Sequence, residues 1–148
     1  MTFKRHGCRL CPMEFKKFEH QVIIRETLLD IYGHVNNAAY FQLLEESRWD
    51  FITQQGYGLD KINQLKIGPV LLETKAKFLK ELKGREQVTI SMQVLEYRGK
   101  ISRIQQLITK ADGQVATEAE FTVALFDLRQ RKLVEPTPEW LDAIGAKS

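Results

Sequence analysis

The sequence predicts an α+β domain in which a curved antiparallel β-sheet wraps around one long central α-helix. Three observations carry that expectation. A helical pattern runs from Asn36 or Asn37 to about Gln54, strand-like alternation dominates after Pro69, and two turn signals join consecutive strands as hairpins. Hairpins with one apolar face must cover that face, and a single long apolar helix is sufficient to do so.

The elements follow in order. Residues 1 to about 17 lack clean periodicity and read as an irregular, partly mobile lead, leaving 18–148 as one domain. From Phe18 to Leu28 the β-branched Val22, Ile23, Ile24 and Thr27 favour an extended strand. The stretch from Asp30 to Val35 breaks that pattern, with Gly33 free to take a positive φ. Asn36 or Asn37 then serves as N-cap, because an asparagine side chain accepts from the first free helix amides. Gly56 is the expected stop, giving roughly 27 Å of helix. Tyr40, Leu43, Leu44, Ser47 and Phe51 form its main stripe, while Phe41, Trp49 and Ile52 make a second apolar face. Apolar residues on two faces predict a deeply enclosed helix.

Beyond Pro69, Val88, Ile90, Met92 and Val94 alternate along one strand. Arg98-Gly99-Lys100 turns into a second strand, Ile101 to Lys110. Asp112-Gly113 turns again into a third, on which Val115, Thr117, Ala119, Phe121, Val123 and Leu125 face one way. About four long strands joined by hairpins are expected. Thr137-Pro138-Glu139 opens a short closing helix that ends before Gly145.

Composition excludes several functions. A net charge of +3 with signs mixed along the chain does not make the clustered basic face of a nucleic-acid binder. No apolar run approaches the roughly 20 residues of a membrane-spanning helix, and the first residues lack a signal-peptide core. A cytoplasmic protein is the expectation, with neither nucleic acid nor membrane as partner. Cys8 and Cys11, near His6, fall two ligands short of a four-ligand zinc site, so no metal and no cofactor is expected. Zinc shared between subunits stays open.

The densest chemistry lies in Asp30-Ile-Tyr-Gly33-His34-Val-Asn36-Asn37-Ala-Ala-Tyr40. A carboxylate there sits beside free helix N-terminal amides. It can activate water or attack a carbonyl itself, and the amides can hold the resulting oxygen anion. The carboxylate is the expected form of an aspartate at neutral pH, favoured further by the helix dipole. Asp30 also has a plainer reading as a turn former, and His34 as a satisfied structural histidine. Asn36 and Asn37 are caps whose amides function even where their side chains do not. Tyr40 reads as core before ligand. Glu45 and Arg48 read as an i,i+3 surface pair worth about 0.2–0.5 kcal/mol.

The motif Asp30-x-x-Gly33-His34-Val35-Asn36-Asn37-x-x-Tyr40, followed by Glu45-x-x-Arg48, resembles the hotdog-fold acyl-CoA thioesterases around 4-hydroxybenzoyl-CoA thioesterase. The similar order of elements extends from about Phe18 to Phe126. The resemblance implies a hotdog fold and hydrolysis of an acyl- or aroyl-CoA at a site shared between subunits, hence a homodimer or homotetramer. It implies Asp30 as nucleophile or general base, assisted by His34, and helix amides near Asn36 and Asn37 as the oxyanion hole. It places Tyr40 and Glu45 at the substrate, with Glu45 or Glu46 as the alternative carboxylate of a second branch. Arg98, Lys100 and Arg103 would meet coenzyme A phosphates, against a plain reading as a solvated hairpin. One departure is Leu28, where many relatives carry a second acid. A thioesterase for acyl carrier protein, a hotdog hydratase and a non-catalytic acyl-CoA-binding protein are the competing readings. Acyl preference is not legible.

Overall fold

The computed structural model describes residues 12–148. His6, Cys8 and Cys11 lie outside the described residues. Strand β1 spans Phe18–Ile23, helix α1 Asn37–Gln54, helix α2 Leu59–Leu65 and strand β2 Ile67–Phe78. Strands β3 (Gln87–Arg98), β4 (Ile101–Lys110), β5 (Val115–Asp127) and β6 (Lys132–Val134) follow, then helix α3, Pro138–Ala143.

One antiparallel sheet runs β1-β3-β4-β5-β2, with the short β6 beside β5. The β3–β4 and β4–β5 hairpins form where the turn residues predict them. Strand β2 departs from a simple chain of hairpins, because it pairs with β5, from Ile67↔Asp127 to Phe78↔Thr117. That partner lies far along the chain, and alternation within β2 cannot name it. Pro69 is compatible with the arrangement, since a residue without an N–H is tolerated on an edge strand.

Strand β1 ends earlier than the sequence pattern implies. Ile24 is fully buried, and Glu26–Leu28 turn as a single 3-10 segment. The bend delivers Asp30 to the head of α1. Helix α2, not anticipated from the sequence, is one of the additions in the structure. Of the irregular lead, residues 12–17 are described: Phe15 is buried, and the Lys16 N–H donates to Gly145 O at 2.8 Å.

Helix α1 buries Tyr40, Leu43, Leu44, Ser47, Phe51 and Ile52 against the inward residues of the sheet. Val88, Ile90, Met92 and Val94 of β3, Ile104 and Ile108 of β4, and Ala119, Phe121, Val123 and Leu125 of β5 supply that surface. At about 25 cal/mol per Å² of apolar area, this layer is the main favourable contribution to folding. The second face of α1 is less enclosed than expected, for Phe41 is 39% exposed and Trp49 37% exposed. Phe41 stands edge-on to Phe78, and Trp49 shares a cavity wall with Pro69–Leu71, so both neighbour β2.

Candidate active site

The turn before α1 holds Asp30 in place through its own backbone. The Asp30 N–H donates to His34 O at 2.8 Å, and the Gly33 N–H donates back to Asp30 O at 3.1 Å. Closing so tight a loop puts Gly33 at φ +78°, a conformation that glycine adopts without strain. The Asp30 side chain completes the turn, its Oδ1 accepting from the Tyr32 N–H at 2.8 Å and the His34 N–H at 3.3 Å. Among the described residues, Oδ2 has no hydrogen-bond partner. One carboxylate oxygen thus shapes the turn while the other stays available.

The turn is fixed to the rest of the fold on both sides. The Val35 N–H donates to Leu82 O at 3.0 Å, and the Asn36 N–H to Leu28 O at 2.9 Å. Asn36 is the N-cap, its side-chain oxygen accepting from the Ala38 N–H at 2.9 Å. The Ala39 and Tyr40 N–H groups both donate to Asn36 O. The Asn36 and Ala38 amides are therefore occupied, and neither is free for an oxyanion. In the first turn, the Asn37 N–H alone keeps no partner among the described residues. Of the helix amides near Asn36 and Asn37 to which the sequence points, the Asn37 N–H is the one left without a partner among the described residues.

His34 bonds outward. Its Nε2 lies 2.9 Å from a Glu81 oxygen, and its backbone bridges Lys83. Glu86 steadies the same corner by accepting from the Lys83 N–H at 3.0 Å and pairing with Lys110 Nζ at 2.8 Å. Burial raises the Glu86 pKa, but the Lys110 ammonium and the Lys83 N–H outweigh it and hold the carboxyl below its usual range. Tyr40 is 5% exposed and packs on Phe78 at 4.9 Å, as a core residue does. Burial raises its phenol above the usual range.

Further along α1 lies a cavity of about 240 Å³, lined by Glu45, Arg48, Trp49 and Ile52 of the helix. Pro69–Leu71 of β2, mid-sheet Met92, Ile104 and Val123, and Trp140 with Ile144 close it. Glu45 stands roughly 12 Å along the helix from Asn37, so the cavity is adjacent to the carboxylate turn and not part of it. Arg48 corrects the sequence reading. It forms no surface pair with Glu45 but points at the sheet, its Nη1 donating to Gln106 Oε1 at 2.8 Å. Its guanidinium carbon sits 4.1 Å from the centre of the Phe121 ring. Burial disfavours its charge, and only Glu45 opposes that effect. Gln106 is fully buried and donates from Nε2 to Leu44 O at 3.1 Å. Sequence reasoning missed it, although a glutamine in the inward register between Ile104 and Ile108 was a readable signal.

The basic hairpin is remote from Asp30 within one chain. Strand β3 runs roughly 36 Å from the end near Lys83 to Arg98, placing the two groups at opposite ends of the sheet. Arg98 is paired with Glu96, and Arg103 with both Glu96 and Glu120. Among the described residues, Lys100 forms no ion pair. No group of three or more His, Cys, Asp or Glu residues gathers as a metal site among the described residues. No helix there is long and apolar enough to cross a membrane.

A six-stranded antiparallel sheet curled around one helix, with a carboxylate at the helix head, defines a protein of the hotdog thioesterase class. Residues 24–144 match the family model of the thioesterase-like superfamily, and the chain belongs to that superfamily. It is 31% identical over 113 residues to the long-chain acyl-CoA thioesterase FadM of Escherichia coli, covering 76% of this chain and 85% of that one. It is similar to the solved structure of YbaW, a probable thioesterase from Escherichia coli, at TM-score 0.74 and 28% identity, over 84% of this chain and 94% of that one. A Staphylococcus aureus protein in complex with CoA shares the fold at TM-score 0.81 and 20% identity, over 89% and 84%. So does a 1,4-dihydroxy-2-naphthoyl-CoA thioesterase from Synechocystis, at TM-score 0.79 and 15% identity, over 87% and 96%.

Proposed function

We propose that the protein is an acyl-CoA thioester hydrolase in which the free oxygen of Asp30 acts on the thioester. The observation that carries this reading is the division of labour in the Asp30 carboxylate. Oδ1 is committed to the turn, and Oδ2 is left unpartnered near the helix head where the Asn37 N–H is also unpartnered. Membership of the thioesterase-like superfamily and the likeness to FadM support the reaction type and favour an acyl-CoA substrate.

Two routes share this geometry. In one, Asp30 takes a proton from water as the water oxygen bonds to the thioester carbon. In the other, Asp30 bonds to that carbon directly and forms a mixed anhydride, which water then cleaves. Either way the carbonyl oxygen gains charge, which the Asn37 N–H and the helix dipole stabilise; one such donor is typically worth about 2.7–4 kcal/mol. Collapse breaks the carbon–sulfur bond, and the departing thiolate takes up a proton. His34 is a positioning residue here, tying the turn to Glu81.

The working unit is a dimer. Among the described residues, β2 is an edge strand that pairs with β5 alone. Along it lie the exposed Leu71, Leu72, Phe78 and Leu79, with Phe41 and Trp49 of α1 also exposed. Unpaired strand groups beside apolar side chains are a template for a second copy. An antiparallel copy on this edge would bring its far-end Lys100 and its cavity toward the first chain's Asp30. This reading makes Lys100 the leading contact for coenzyme A phosphates, with Arg98 and Arg103 already held by acids.

Thiol release from a panel of aliphatic acyl-CoAs, an aroyl-CoA and a matching acyl carrier protein thioester tests the assignment. Turnover on the CoA esters is expected. Tight binding without turnover on every member would replace hydrolysis with a binding role. A single turnover in water enriched in oxygen-18 separates the routes, since label enters Asp30 only through the anhydride.

A further inference from the structure

The cavity contains a charge that the thioester chemistry does not use. Arg48 sits among Ile52, Val70, Met92, Ile104 and Val123, with Phe121 beneath the guanidinium. Among the described residues it donates one side-chain hydrogen bond, to the neutral Gln106. Glu45 lines the same cavity and acts on Arg48 through space, without an ion pair between them. A guanidinium carries several more donors in a planar fork suited to a carboxylate. Those of Arg48 are not sealed in the core, so the cavity can reach them.

A methyl-terminated acyl chain filling this space would strip water from the guanidinium and return no acceptor, which is unfavourable. An oxygen anion would instead form charge-assisted bonds in a site where Phe121 already shields one face. We propose that the cavity receives the far end of the acyl group and that Arg48 selects thioesters whose acyl chain terminates in a carboxylate. This rests on the thioesterase reading and on its dimer, in which one protomer's cavity faces the other's Asp30, and it narrows the substrate class. At roughly 30 Å³ per water-sized group, the cavity holds about eight heavy atoms, so a short chain fits.

The test compares acyl-CoAs of equal length ending in methyl or in carboxylate: butyryl with succinyl, hexanoyl with adipoyl, octanoyl with suberoyl. Wild type is expected to favour the carboxylate member at one length at least, by roughly ten- to hundredfold in kcat/KM. Arg48→Met should collapse that ratio, and Arg48→Lys should keep part of it. The wild-type ratio is decisive even where a variant fails to fold. Turnover of the methyl series with no gain from a carboxylate at any length overturns the inference and leaves the thioesterase reading intact. No turnover on either series overturns the reading itself. If wild type shows no carboxylate preference and Arg48→Met converts the dimer to monomer, Arg48 serves the subunit contact, and the inference fails.

Discussion

Replacing Asp30 by asparagine separates catalysis from architecture unusually well. The two turn hydrogen bonds use Oδ1, at 2.8 Å from the Tyr32 N–H and 3.3 Å from the His34 N–H. An asparagine keeps an oxygen in that place and puts its amide where Oδ2 stood. The folded state loses only the charge assistance of two bonds, about 1 kcal/mol, or about 2–4 °C in Tm for a chain of this size. The reaction loses its base or nucleophile entirely, a fall of about 10²–10⁴-fold in kcat, equal to about 2.7–5.5 kcal/mol of barrier. Thiol release, run beside calorimetry on the same preparation, reads both quantities. Asp30→Asn turning over at the wild-type rate would refute the argument and make Glu45 and Glu46 the next carboxylates to test. Loss of activity together with a collapsed Tm would also refute it, because the turn would then need the charge.

Three further outcomes are expected. Gln106→Leu removes the side-chain acceptor of the half-buried Arg48 and the buried Gln106 bond to Leu44 O; it should cost about 2–3 kcal/mol in urea unfolding, and a change under half of that would discount the bond. The Glu86 carboxyl is held below the 4.5 of a free side chain, so its contribution is complete above that pH and is lost as pH falls through the folded-state value. Glu86→Gln should therefore flatten the acid limb of the stability–pH curve, and an unchanged limb would contradict the assignment. Leu72→Glu on the free edge of β2 should shift sedimentation toward monomer and lower activity with it, whereas an active dimeric variant would move the interface elsewhere.

Much of the fold was legible locally. The N-cap at Asn36, the end of α1 before Gly56 and the turns at Gly99 and Gly113 follow from residues that satisfy or permit one backbone conformation. The inward faces of β3 and β5 follow from alternation, because a strand with one buried face repeats every second residue. Helix α2 lies in a short polar stretch with no strong period, and nothing local identified it.

For the site, the sequence by itself determined the groups gathered at the head of α1: an aspartate, a glycine able to close the turn, and a helix start with a free amide. Those are properties of neighbouring residues and need no distant partner. Only the tertiary structure decided which groups remain available. Hydrogen bonds to Leu28 and from Ala38 occupy Asn36, the Asp30 oxygens divide between turn and solvent, and Glu96 and Glu120 take up Arg98 and Arg103. It also turned Arg48 from an expected surface residue into the charged wall of a cavity, next to a glutamine 58 residues away in the chain. Whether a polar group is free depends on every group the fold brings within hydrogen-bond reach, and sequence spacing carries no record of those long-range contacts.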